Sequence, residues 1–543
     1  MKRLFKLRCN ESAFNACVAL FFTFILNAVF LMHAWETIPY TSFRDTLFAA
    51  TLPVVLFSAF LFLFNLFAMP WVRKPLLIIL LLASAAANYF IYSFGTVIDT
   101  NMIQNVFETD AQEAASLFTL NYLLWMTVVG VIPAVIIAGV KIGTHRPWWM
   151  NIAWRLVTAL GAMVVILLVA ALFYKDYASL IRNNKGLVKM ITPANVVSGV
   201  GHYADNRWFS GDQTLLKIGE DARKGPLISA EKKKTLVVFV LGETGRAEDF
   251  SLGGYSRETN PQLKKDNVIY YPNASSCGTE TAISVPCMFS NMPRIHYDAN
   301  LAHHQEGVLD VMAHAGVNVL WRENDGGCKG ACDRVPHTDM TKWKVSELCK
   351  SDYCMDDVLL HRLTNYIDSI KDDTVIVLHQ MGSHGPAYYL RYPVEMRKFT
   401  PTCDSNQIQD CDHQALVNTY DNSILYTDSM VHDTISLLKS YSDKFNVALV
   451  YLSDHGESLG EHGMYLHGAP YVFAPTQQTH IPFLLWLSPG YASTFGINQS
   501  CLHAAAKTDS VSQDNIFHTL LGMMNVQTKE YQPTLDMIRS CQA

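Results

Sequence analysis

Val447-Ala448-Leu449-Val450-Tyr451-Leu452-Ser453-Asp454-His455-Gly456-Glu457-Ser458 is an apolar run that passes directly into side chains able to bind metal or transfer protons. An uncharged β-branched and aromatic run of this length suits a buried strand, and in open, mostly parallel sheets ligands gather at the carboxyl ends of the strands. Asp454 and His455 on adjacent positions offer one hard oxygen and one imidazole, a pair suited to zinc. A strand running into a polar turn with an incidental histidine would look the same, so the reading needs partners elsewhere in the chain.

Partners exist on other strands. From Lys232 onward, apolar β-branched runs alternate with amphipathic helical stretches, the pattern of a doubly wound α/β domain. Strands are predicted at 235–241, 267–271, 317–321, 374–379 and 447–452. The first leads into Gly242-Glu243-Thr244 and the fourth into Gly382-Ser383-His384-Gly385-Pro386. In a parallel sheet these ends converge with Asp454 and His455 on one face. Taken singly, Glu243 would serve as well to cap a helix, and His384 as a turn residue before Pro386; their coincidence on three strands favours a shared site.

The first third of the chain has a different character. Half of the 543 residues are apolar and only 17% are charged, too greasy for an ordinary soluble protein. The excess lies before about Tyr174, in five stretches at 13–32, 47–69, 76–94, 120–140 and 156–173, each near the ~18 to 20 residues that cross a bilayer core. Lys2, Arg3, Lys6 and Arg8 precede the first, Arg73 and Lys74 follow the second, and Lys141, Arg146 and Arg155 flank the turn after the fourth. Those sides read as cytoplasmic. The alternate loops hold Arg44 as their only Lys or Arg, with Asp99, Glu108, Asp110 and Glu113 making one of them acidic. An odd number of spans exports the chain beyond the fifth. The first apolar core is too long for a signal peptide, and no small-residue cleavage site comes after it before Trp35.

The organisation expected is therefore a transmembrane domain over 1–174, a linker with interfacial helices over 175–231 that includes Trp208-Phe209, and an exported catalytic domain over 232–543. Cysteine usage agrees with export: ten of the twelve cysteines lie from Cys277 onward. The close spacings Cys277/Cys287, Cys328/Cys332, Cys349/Cys354 and Cys403/Cys411, with Cys501 and Cys541 as a distant pair, read as a disulfide framework. Spacing does not prove connectivity, and a structural zinc held by two close pairs is the rival; an oxidising compartment and spacings unlike a zinc ribbon weigh against it.

Cys277-Gly278-Thr279-Glu280-Thr281-Ala282-Ile283-Ser284-Val285-Pro286-Cys287 gives a metal site something to do. A bridge between its end cysteines would hold one of the hydroxyls of Thr279, Thr281 or Ser284 rigidly. Zinc lowers the pKa of a bound water from ~15.7 to ~7, and a threonine hydroxyl on the metal becomes a nucleophile in the same way. Ordinary helix-capping hydroxyls are the plainer reading of each one.

Six segments in order, LGETGRAEDFSLGGY (241–255), CGTETAISVPCMFS (277–290), ENDGGCKG (323–330), GSHGP (382–386), SDHGESLGEHG (453–463) and LHG (466–468), preceded by five apolar stretches, resemble the lipid A phosphoethanolamine transferases of the alkaline phosphatase and sulfatase superfamily, along essentially the whole chain. The mobile colistin-resistance enzymes share these catalytic motifs. The resemblance implies five transmembrane helices and a periplasmic α/β domain of alkaline phosphatase-like fold. It implies Thr281 as nucleophile, not Thr279, and Glu243, Thr281, Asp454 and His455 as ligands of one tightly bound zinc. His384 and His467 match a second metal or phosphate position and are expected to act in proton transfer. Asn324 and Lys329 fall in the segment used around the phosphoethanolamine group, and Glu457 is a candidate contact to the substrate ammonium.

The activity implied is transfer of phosphoethanolamine from phosphatidylethanolamine to a lipid A phosphate through a phosphoethanolamine-threonine intermediate. Diacylglycerol is released, and sensitivity to polymyxin and other cationic peptides falls. An inner-membrane, multi-pass monomer with no nucleic-acid partner is expected. A related transferase moving phosphoglycerol, or acting on a core sugar of lipopolysaccharide, would share most of these motifs. A sulfatase would need Cys or Ser in a C/S-x-P-x-R motif where this chain reads Thr281-Ala282-Ile283-Ser284-Val285, and an inactive sensor would not need all four metal ligands.

Overall fold

Asn27 interrupts the first apolar run. Its side-chain amide donates to the carbonyls of Phe22 and Thr192 and accepts from the Thr192 amide, satisfying backbone groups away from the regular ladder. The helical segments Glu11–Leu26 and Ala28–Glu36 consequently meet at 56°, a kink with an identifiable side-chain cause. The computed structural model describes residues 8–67, 69–108, 111–143, 147–205, 214–229, 231–350 and 353–542. Lys2, Arg3, Lys6, Asp110, Arg146 and Trp208-Phe209 lie outside them.

Among the described residues, four more helices are long and apolar enough to cross a bilayer: Phe43–Leu66, Arg73–Phe94, Leu120–Gly139 and Trp148–Ile181. With the bent pair counted as one span they make five. The second helix starts with a capping box in which Ser42 accepts from the Asp45 amide and Asp45 accepts from the Ser42 amide. Glu11 forms ion pairs with Arg73 and with Arg155, the latter at 2.6 Å. These three residues come from the start of the first span, the end of the second loop and the start of the last span, so the loops whose basic residues mark one membrane side gather at one end. Arg44 pairs instead with Asp176 at 2.8 Å. The last helix does not stop near Tyr174 but continues to Asn183 after non-helical torsions at Phe173. By contacts this unit comprises Met1–Gln104 and Phe118–Asp205, while the segment Asn105–Leu117 belongs with Asn206–Ala543.

In the second unit the apolar runs form one eight-stranded sheet: β1 (Lys234–Gly242), β2 (Ile269–Ser275), β3 (Asn318–Glu323), β4 (His337–Asp339), β5 (Thr374–His379), β6 (Phe445–Ser453), β7 (His480–Leu487) and β8 (Val511–Ser512). Their order across the sheet is β8-β2-β7-β6-β1-β5-β3-β4. Every neighbouring pair is parallel except those made by β7, which runs antiparallel to both β6 and β2. Burial on both faces explains why the central strands are unbroken apolar runs: Leu236 through Leu241 and Val447 through Leu449 are 0% exposed.

The predicted strand 374–379 coincides with β5, and 235–241 and 447–452 lie inside β1 and β6. The strands predicted at 267–271 and 317–321 start one or two residues further on and end two to four residues further on. β7 was missed because Pro482 breaks its pattern; the register shift between Ile481 and Phe483 absorbs that proline.

Candidate metal centre and active site

Register places the ligands. Ser453 of β6 pairs with Gly242 of β1, so Glu243 and Asp454 leave the sheet side by side at the centre of its carboxyl edge. The Asp454 amide donates to the Gly242 carbonyl at 2.9 Å, and Asp454 Oδ1 accepts from the amides of Thr244 at 3.2 Å and His455 at 2.7 Å. Thr244 adopts φ 52° to make this turn, a strained conformation that recurs at functional sites. Gly382 (φ 51°) closes over the same place: a Cβ there would lie 2.5 Å from the Glu243 carbonyl oxygen, so only glycine fits.

His455 Nε2 stands 3.3 Å from both Glu243 Oε1 and Asp454 Oδ2, while its Nδ1 faces the Gly456 carbonyl at 2.8 Å. All three residues are at most 1% exposed, and one ligand atom from each lies within 4.8 Å of the others. Glu243 Oε1 and Asp454 Oδ2 are buried with no hydrogen-bond partner among the described residues. Two orphaned carboxylate oxygens beside an oriented imidazole fit a divalent cation, and with a hydroxyl they would supply the four oxygen and nitrogen donors that zinc takes. Burial, then the charge of Asp454, lifts the Glu243 carboxyl well above the ordinary range. Burial also raises Asp454, but the charge of His455 and a bond to Glu243 outweigh it and hold Asp454 low. A cation placed there would favour the charged form of both carboxylates.

Thr281 supplies the hydroxyl. It is the first residue of the helix Thr281–Phe289, half-buried, with Oγ1 donating to Glu243 Oε2 at 3.1 Å and lying 3.4 Å from His455 Nε2. The other two hydroxyls of this loop are committed elsewhere: Thr279 donates to the Ala469 carbonyl, and Ser284 accepts from the Gly278 amide. A Cys277–Cys287 bridge closes the loop. Glu280, 2% exposed, accepts from Asn105 Nδ2 at 2.6 Å. Gln513, which the sequence did not single out, fastens this loop to the turn that carries Asp454. Its Oε1 accepts from the Cys277 amide at 2.7 Å, and its Nε2 donates to the carbonyls of Ser453 and Asp454 at 3.1 and 2.6 Å.

The histidines gather on the same site. The rings of His455 and His467 are 4.5 Å apart between centroids, and those of His384 and His467 are 5.4 Å apart. Glu457 is 0% exposed and faces His467 Nδ1 at 3.1 Å, so it orients an imidazole. Asn324 is also internal: its amide nitrogen donates to the Cys354 carbonyl and to Asp356 Oδ1. Asp356 in turn accepts from the Met381 and Gly382 amides, which links Asn324 to the loop over Glu243. Lys329 is half-buried at φ 49° between the bridged cysteines Cys328 and Cys332. The remaining bridges are Cys349–Cys354, Cys403–Cys411 and Cys501–Cys541.

Sequence reasoning also passed over Asp325 and His379, which the ends of β3 and β5 bring against Glu243, and Glu323, which faces His379. The available signal was a polar residue ending each apolar run, Glu323 after Trp321-Arg322 and His379 after Val377-Leu378. Burial alone would depress His379, but Glu323, then Asp325, raises it to about 9. Burial, with the charge of Glu243, lifts Asp325 well above the carboxylate range.

Comparison with known proteins gives a consistent picture. Residues 235–526 match the sulfatase family, and residues 56–208 match the family described as phosphoethanolamine transferase EptA/EptB. The chain is 49% identical to phosphoethanolamine transferase EptA of Escherichia coli strain K12, over 100% of this chain and 99% of that protein. It is 36% identical to phosphatidylethanolamine transferase Mcr-1 of Escherichia coli, over 96% of each. Among solved structures, the integral membrane protein lipooligosaccharide phosphoethanolamine transferase A (EptA) from Neisseria meningitidis matches with a TM-score of 0.95 at 40% identity, over 99% of both chains.

Proposed function

The chain belongs to the EptA family of phosphoethanolamine transferases, and from that premise we propose that it moves phosphoethanolamine from phosphatidylethanolamine to a phosphate of lipid A, with Thr281 carrying the group in between. The observation that carries this reading is the position of Thr281 Oγ1, 3.1 Å from Glu243 and 3.4 Å from His455 inside the orphaned carboxylate cluster. A zinc bound by Glu243, Thr281, Asp454 and His455 would lower the pKa of the threonine hydroxyl and offset charge on the phosphate oxygens. Thr281 Oγ1 attacks the phosphorus of the donor, the bond from phosphorus to the diacylglycerol oxygen breaks, and that oxygen takes a proton. His467, held by Glu457, and His384 beside it are the groups placed to deliver the proton and later to accept one from the incoming lipid A phosphate. That phosphate then displaces Thr281 and restores the free hydroxyl. Lys329 and the amino-terminal end of the helix Thr281–Phe289 supply positive potential toward the anionic donor.

The acceptor rests on family membership: the relative from Neisseria meningitidis is named for lipooligosaccharide. The site lies in the periplasm in this reading, after spans anchored in the inner membrane. Added ammonium groups would weaken the binding of polymyxin and other cationic peptides to the surface. The test is full-length enzyme in detergent with fluorescent phosphatidylethanolamine, followed by intact mass analysis. A phosphoethanolamine adduct on wild type and none on Thr281→Ala is expected; equal donor cleavage by both would sink the covalent route, and preference for a phosphatidylglycerol analogue would sink the donor assignment.

A further inference from the structure

Glu243 faces a second set of ligands besides the one already described. His379 is 0% exposed; its Nδ1 lies 3.0 Å from Glu323 Oε2, and its Nε2 points at Asp325 Oδ2, 3.5 Å away, with no hydrogen-bond partner among the described residues. The Glu323 carboxylate is fully occupied in holding this pose, since Oε2 also accepts from Trp321 Nε1 at 2.8 Å and Oε1 from the Asp325 amide at 2.6 Å. A carboxylate on one ring nitrogen, with the other nitrogen free and aimed at acidic oxygens, is how ligating histidines are held in metal sites. His455 is held in a comparable way, with the Gly456 carbonyl on Nδ1 and Nε2 toward Glu243. One ligand atom from each of Glu243, Asp325 and His379 lies within 4.8 Å of the others.

We propose that Glu243, Asp325 and His379 hold a second divalent cation, so that Glu243 bridges two ions. The proposal rests on the first-cation reading because the two sites share that carboxylate. Charge gives it a purpose. Glu243, Glu323, Asp325, Asp454 and Glu457 crowd their carboxylates into a site that must receive an anionic phosphodiester. One dication and Lys329 leave the cluster negative, whereas a second dication brings it close to neutral. Two carboxylates and one imidazole suit zinc or manganese. A cavity of about 490 Å³, lined by Glu323, Asn324, Gly326, Gly327 and Met381 among others, opens beside the cluster and gives an ion a way in.

The test is full-length enzyme in detergent, stripped with chelator, titrated separately with Zn²⁺ and Mn²⁺ and assayed for bound metal by mass spectrometry. Wild type should take up two equivalents, and His379→Ala and Asp325→Asn one each. Asp325 is on a loop, so its variant guards against a folding defect at the buried histidine, and both variants should be checked by thermal melting. Asp454→Asn should lose the other equivalent. A wild type that binds one equivalent, removed by Asp454→Asn and untouched by Asp325→Asn and His379→Ala, overturns the second site and leaves the first standing. Binding that neither Asp454→Asn nor Asp325→Asn alters would overturn both.

Discussion

His467 stands with its ring centroid 4.5 Å from that of His455, yet the two imidazoles are held by different means: His455 by a backbone carbonyl, His467 by the buried carboxylate of Glu457. A neutral ligand needs only a fixed tautomer, whereas an imidazole that gains a proton during turnover needs a counter-charge. The two pairings fit the proposed roles, His455 as a ligand and His467 as a proton carrier. Replacing His467 with Ala should lower kcat by about 10²- to 10⁴-fold. Glu457→Gln, which keeps an acceptor but loses the charge, should lower it by about 10- to 100-fold. Turnover of fluorescent donor measures both, with KM nearly unchanged.

Gly382→Ala should cost about 1–3 kcal/mol of stability, because the residue sits at φ 51° and its new Cβ would meet the Glu243 carbonyl. Relief of that clash moves Glu243, so zinc affinity should fall along with the melting temperature. Equilibrium competition with a chelating dye separates the two effects.

Gln513→Leu should weaken the site from below. The substitution leaves the Cys277 amide and the Ser453 and Asp454 carbonyls without their buried partner, a loss of about 2–4 kcal/mol. Activity at a temperature where the variant is still folded should drop as well, since the clamp sets the distance from Thr281 to Asp454. Full turnover by the folded variant would contradict that view.

Acid sensitivity has a local source in His518, 1% exposed, whose Nδ1 accepts from the Gln532 amide at 3.2 Å. Burial lowers its pKa from the ordinary 6.5 to about 4. The folded state thus binds its proton later than the unfolded chain does: the contribution is whole above 6.5 and fades as pH falls through that value toward about 4. With allowance for solvent screening it amounts to about 2 kcal/mol. Melting curves between pH 7 and pH 4.5 should show a smaller acid loss for His518→Asn than for wild type.

Much of this site is legible in the sequence because register does the positioning. Apolar runs mark β1, β5 and β6; Glu243 and Asp454 come directly after the first and last of them, and His379 ends the second. Thr281 could be separated from Thr279 and Ser284 only through the family resemblance; in the structure, Thr279 is taken by the Ala469 carbonyl. Asn324 and Glu457 fell within recognisable motifs, but their inward bonds to Asp356 and His467 depend on how the chain folds back on itself. Gln513 carried no local sign at all, since a lone glutamine after a two-residue strand reads as surface. β7 was hidden by Pro482, and the first span's bend by an asparagine whose partner, Thr192, is 165 residues away.

The segment Asn105–Leu117 is threaded between membrane spans in sequence yet belongs with the α/β unit, where Asn105 reaches Glu280, the residue before Thr281. A truncated chain that begins near Asn206 therefore omits part of the enzyme's own catalytic body along with its anchor. Rates measured on such a fragment describe a site with Glu280 unbuttressed, and restoring them by adding lipid or detergent is not to be expected; adding back a peptide spanning Asn105–Leu117 is the remedy the fold suggests.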